Sequence, residues 1–123
     1  MIVEKASVNI SLTHTFHRIY YHLVWGTKGR ESLITSPMEG HLYPFLMKKV
    51  QVLGGNLLAI NGMEDHVHLF VQLAPKHQPC KFVKDLKGSS SHYLTSESGL
   101  GIEFKWQSGY GIFSVGFREI PFV

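Results

Sequence analysis

The feature that most constrains this chain is the run His66-Val67-His68-Leu69-Phe70-Val71-Gln72-Leu73. Successive residues of a strand point to opposite sides of the sheet. Val67, Leu69, Val71 and Leu73 then form one unbroken apolar face, which must be covered. His66, His68, Phe70 and Gln72 form the other, so both imidazoles point away from the core, roughly 7 Å apart along the strand. Such a strand calls for a sheet that is covered on one side and open on the other.

The flanking pattern supplies the cover. Residues 16–27, FHRIYYHLVWGT, are rich in aromatic and β-branched types, end near Gly26 and read as a strand followed by a basic loop. Ser36-Pro37-Met38-Glu39 places serine to cap a helix, proline at its first position and glutamate three residues after the cap. Leu42, Phe45, Leu46, Val50 and Leu53 follow at helical spacing until Gly54-Gly55 stops them. NLLAING and the histidine run are separated only by MED, short enough for an antiparallel pair. Pro79 opens a second helix with Phe82, Val83, Leu86, Tyr93 and Leu94 as its apolar stripe. IEFKWQ and YGIFSVGF read as strands. The order implies an α+β domain: a ferredoxin-like, RRM-like antiparallel sheet with two helices on one face.

At 123 residues the chain is expected to be a single domain spanning 1–123, with residues 1–12 a loose arm. No apolar run approaches the roughly 20 residues of a membrane span, and the N-terminus does not read as a signal peptide. A lone cysteine, Cys80, allows no internal disulfide and points to the cytoplasm. Twelve Lys and Arg against nine Asp and Glu, a net charge of +3, permit a nucleic-acid partner. Placement says more. Lys28 and Arg30 follow the first strand, and Lys81, Lys84 and Lys87 recur every three residues on the second helix. Lys28, Arg30, Lys84 and Lys87 would position phosphates without reading sequence. Trp106 either stacks on an unpaired base or belongs to the core.

Two neutral imidazoles leave several coordination positions of a divalent ion open. A third protein ligand and a phosphate oxygen would complete a site for Mg²⁺ or Mn²⁺. Gln72 shares the histidine face, and Glu64 and Asp65 stand at the mouth of the strand, so each is an option for that ligand. Such an ion polarises a phosphate for in-line attack. Nothing completes a Cys/His tetrahedron for zinc. The plain alternative is a pair of surface histidines on an open sheet.

Four blocks occur in order: YYHLVWGTKGRESLI, AINGMEDHVHLFVQL, KFVKDLKGSSSHYL and FKWQSGYGIFSV. Together they resemble the HUH single-tyrosine transposases of insertion sequences and their REP-associated relatives. The resemblance implies an RRM-like sheet and metal ligation by His66 and His68. It also implies binding of hairpin-bearing single-stranded DNA. Metal-dependent cleavage then runs through a 5′-phosphotyrosine link with strand transfer, in a homodimer. YGIFSVGF, as an edge strand, would want a partner. In that family the nucleophilic tyrosine and a metal-binding glutamine sit on a helix after the last strand. Here residues 116–123, GFREIPFV, contain neither, and their glycine and proline suit a helix badly. Tyr110, which matches the family's terminal strand motif, is the substitute nucleophile to test. The expectation is open between a nicking enzyme and a DNA-binding remnant.

Overall fold

The apolar face of the histidine strand is buried as its alternation requires: Val67, Leu69, Val71 and Leu73 are at most 1% exposed. The structure, a computed structural model, describes residues 17–116. The expected arm at 1–12, and the expected tail beyond Gly116, lie outside the described residues. The elements are β1 (Ile19–Gly26), α1 (Ser36–Val52), β2 (Asn56–Met63), β3 (His66–Leu73), α2 (Pro79–Ser96) and β4 (Gly111–Val115). They form a sheet of order β2-β3-β1-β4 with every neighbouring pair antiparallel. Two split βαβ units interleave, each crossover leaving one strand between its own pair. The fold is the ferredoxin-like α+β arrangement that the sequence pattern implies.

Both helices contribute one stripe to a common core. Met38, Leu42, Leu46 and Val50 of α1 are fully buried, with Phe82, Val83, Leu86 and Leu94 of α2 against the same sheet face. Each such side chain contributes about 1.5–3 kcal/mol through removal from water. The start of α1 lies one residue before the sequence signal. The Thr35 hydroxyl, not that of Ser36, accepts from the Met38 N–H at 3.4 Å. Its end is as expected, with Gly54 in the left-handed region at φ +88°.

The expected strand over residues 102–107 does not form. One side chain from α2 satisfies Phe104 instead: Thr95 Oγ1 accepts from the Phe104 N–H at 2.9 Å and donates to its carbonyl at 3.2 Å. With both backbone groups of Phe104 taken, only Trp106 makes a bridge, to Thr27. The last strand is shorter than expected and forms the sheet edge beside β1.

The turn carrying the histidines leaves no slack in β2. A Cβ on Gly62 would overlap the His66 carbonyl oxygen and meet Val67 Cα at 3.0 Å. Gly62→Ala is therefore expected to lower stability by about 1–3 kcal/mol, the scale of forced overpacking. A lower urea midpoint at unchanged m-value would show it.

Candidate metal and nucleic-acid site

The register of β1 on β3 builds the open face. Gly26 lies opposite His66, Val24 opposite His68, and His22 opposite Phe70. Gly26 is small for a reason: a Cβ there would stand 3.1 Å from Arg30 Cδ and 3.2 Å from the Asp65 carbonyl oxygen. The turn between β2 and β3 is gripped from behind. Thr27 N–H donates to the Asp65 carbonyl at 2.9 Å, and Ile34 N–H to that of Glu64 at 2.8 Å. Arg30 adopts φ +56°, a left-handed conformation unusual for a side chain of its size. It carries its guanidinium to Asp65 Oδ2, with Nε at 3.1 Å and Nη2 at 3.0 Å.

Each histidine has its Nδ1 engaged. His66 Nδ1 lies 2.7 Å from Asp65 Oδ1. The hydrogen bond from His66, and less strongly the Arg30 guanidinium, hold the Asp65 carboxyl below the usual carboxylate range against partial desolvation. An ionised carboxylate can only accept, so Nδ1 of His66 is the donor, and in the neutral imidazole Nε2 carries the lone pair. His68 Nδ1 lies 2.8 Å from His22 Nε2. Burial, followed by the neighbouring His22 and His66, holds the His68 imidazole below the ordinary histidine range, which favours its neutral, ligand-competent form. The His66 and His68 rings meet edge to face, 4.9 Å between centroids. Two imidazoles on one open face, one backed by a carboxylate and the other by an imidazole, fit a borderline divalent ion. Among the described residues no group of three or more His, Cys, Asp or Glu side chains makes a complete protein-only site.

His66 and His68 line a cleft of about 380 Å³ with Arg30, Gln107, Ser108 and Tyr110. Tyr110 is thus brought to the histidines, as is Arg30. Gln72 is not. It lies four residues from His68 on the same strand face, opposite Tyr20 and Asn56, with the buried Phe70 between. Sharing a face therefore does not make it a third ligand here. Asp65 reaches the site as the partner of His66. Glu64 is exposed on the turn.

A second cleft of about 620 Å³ adjoins the first through Gln107 and Ser108, which line both. Its walls carry Lys28, Lys87 and Lys105 with Ser91 and Trp106. Lys84 is exposed on α2 and lines neither cleft. Trp106 is half-buried, donates Nε1–H to Ser90 Oγ at 2.9 Å, and meets Trp25 and Phe104 edge to face. It is a core residue with one side on the basic cleft. Lys87 departs from expectation most. Its amine donates to the carbonyls of Gln107 and Gly109, each at 2.7 Å, and stands 5.9 Å from the Tyr110 ring centroid. Burial lowers its pKa. Two of its three N–H groups therefore staple the 107–110 loop, leaving one for an incoming anion. Sequence reasoning missed His22 and Lys105: the first needs the strand register, and the second was hidden in a strand that does not form.

Comparison with known proteins agrees over nearly the whole chain. The sequence profile of the family described as "Transposase IS200 like" matches residues 15–123. The transposase of insertion sequence element IS200 from Salmonella typhimurium is 29% identical over 112 residues, covering 86% of this chain and 73% of that protein. The ISDra2 transposase TnpA of Deinococcus radiodurans is 31% identical over 78 residues, 63% of this chain and 56% of its own length. A crystal structure of a candidate transposase from D. radiodurans R1 superposes with a TM-score of 0.74 at 26% identity, covering 97% of this chain and 91% of that one. A REP-associated tyrosine transposase bound to a REP hairpin shares the fold, with a TM-score of 0.65 at 10% identity over 99% and 67% of the two chains.

The staple can be tested alone. Lys87→Met keeps the aliphatic stem and removes both hydrogen bonds to the loop. Hydrogen exchange at residues 107–110 is expected to accelerate by about tenfold, the equivalent of roughly 1.4 kcal/mol of local opening. Exchange in β3 should be unchanged.

Proposed function

The chain belongs to the IS200-like transposase family, and on that premise we propose that it binds hairpin-bearing single-stranded DNA along the two joined clefts and cuts it at the histidine pair. The observation that carries this reading is the shared wall. Gln107 and Ser108 line both the lysine-bearing cleft and the cleft of His66 and His68, so one strand can hold its phosphates in the first while crossing the second. Basic side chains without a base-reading array position a backbone rather than select a sequence.

His66 and His68 would hold the ion through Nε2, with Asp65 fixing the ring of His66. Bound Mg²⁺ or Mn²⁺ would supply Lewis-acid polarisation of the scissile phosphate. Arg30, half committed to Asp65, completes the positive rim of the cleft. Lys28 and Lys105 hold flanking phosphates in the adjoining cleft. Tyr110 is 37% exposed on the cleft wall and is the nucleophile proposed among the described residues. Its oxygen bonds to phosphorus as the bond to the 3′ oxygen breaks. The products are a 5′-phosphotyrosine and a free 3′-hydroxyl, which takes up the proton. Lys87, by stapling the loop, keeps Tyr110 beside the histidines.

A homodimer is part of the proposal. β4 is a sheet edge with Phe113 57% exposed, a strand that a second copy would cover. Among the described residues no helix is long and apolar enough to cross a membrane.

Two measurements test the reading. In calorimetric titration with Mn²⁺, the double variant His66→Ala/His68→Ala is expected to show no binding; an unchanged isotherm would remove the metal site. On a denaturing gel, hairpin-bearing single strands from the DNA flanking this gene, with Mn²⁺, are expected to give a covalent protein–DNA band. That band should vanish with EDTA and with Tyr110→Phe. A band that survives Tyr110→Phe places the nucleophile elsewhere. A gel shift with no covalent band identifies a DNA-binding remnant.

A further inference from the structure

His22 belongs to no wall of the cleft as described, yet it is hydrogen-bonded to a residue that does. We infer that His22 is a positioning residue: its Nε2 accepts a hydrogen bond from His68 Nδ1 and so sets His68 in the tautomer whose Nε2 is free to ligate. The inference rests on the reading of His66 and His68 as metal ligands and deepens it.

The geometry leaves two arrangements. His22 Nε2 and His68 Nδ1 are 2.8 Å apart, so one must donate and the other accept. If His22 donates, neutral His68 carries its only proton on Nε2, and that nitrogen has no lone pair for an ion. If His68 donates, its Nε2 is bare and His22 keeps its own proton on Nδ1. Neutral His66 is held in the corresponding tautomer, because Asp65 Oδ1 can only accept. Only the second arrangement gives two ligands that offer the same nitrogen on the same strand face.

The sheet fixes the partner in place. His22 lies on β1 opposite Phe70, and His68 two residues back along β3 opposite Val24, so the two imidazoles are diagonal cross-strand neighbours. Their rings are 5.0 Å apart with 30° between planes, and Phe113 of β4 stands 6.2 Å from His22. A ring held between strands keeps its direction better than one on a loop. The two ligands also differ in backing. His66 is hydrogen-bonded to a charged acceptor and His68 to a neutral one, which makes His66 the stronger electron donor of the pair.

The experiment uses the full chain, metal-free and labelled with ¹⁵N, above the histidine titration range. Long-range proton–nitrogen spectra report which nitrogen of His68 is protonated, and calorimetry with Mn²⁺ reports affinity. Wild type is expected to hold His68 as the Nδ1–H tautomer. His22→Phe keeps a ring against Phe113 but cannot accept. It should return His68 to the Nε2–H form that free histidine prefers and weaken Mn²⁺ binding by roughly 10–100-fold. His22→Gln, whose amide oxygen can accept, should restore the Nδ1–H tautomer and bring affinity to within a few-fold of wild type. An Nε2–H His68 in wild type overturns the inference without recourse to any variant, as does wild-type affinity in His22→Phe. Unchanged Mn²⁺ binding in His66→Ala/His68→Ala removes the metal reading and this inference together. Loss of binding there, with none in His22→Phe, leaves the metal reading standing and removes only His22.

Discussion

The antiparallel pairing of β1 with β3 is the constraint on which the site depends. That register lays Leu23 against Leu69 and Trp25 against Val67 on the covered face. On the open face it sets Gly26 against His66 and brings His22 beside His68. A slip of one residue would turn both faces over, exposing four apolar side chains of β3 and burying its histidines. The free energy that fixes the geometry of the cleft is thus the burial of residues on the other side of the sheet. No side chain of the site needs to hold the strands together.

The open face is divided along its length. At one end Tyr20, Leu58 and Phe70 form a separate apolar cluster, joined by Ala59 and Val115. At the other end stand the histidines, Asp65 and Arg30, where three connections meet: the loop after β1, the β2–β3 turn and the 107–110 loop. The polar end is assembled from turns gripping one another's backbones. Arg30 sits there at a positive φ, a conformation that costs about 1–2 kcal/mol, and its hydrogen bond and ion pair to Asp65 offset part of that cost.

Much of this was legible in the sequence, and the misses share one cause. Period-two alternation placed His66 and His68 outward and four residues inward, because strand geometry is local. A cap and two glycines bounded α1 to within a residue or so, and Pro79 marked the start of α2, for the same reason. Gln72 was set on the right face, but alternation carries no information about distance, and the bulk of Phe70 intervenes. Lys87 has the spacing of an outward lysine, yet the 107–110 loop crosses α2 and takes its amine. His22 looked like one more residue of an aromatic strand until β3 was laid beside it. What failed was long-range pairing, which one sequence does not encode by pattern.

The strand order also governs when the site can exist during synthesis. Its parts come from positions 22–30, 65–68 and 107–110, and β1 must accept β3 on one side and β4 on the other before they meet. A nascent chain that has left the ribosome only as far as α2 holds the histidines but lacks a wall of their cleft. Contacts so distant along the chain form late and cooperatively. The site is therefore all or none: a partly made copy carries the two histidines without the cleft around them.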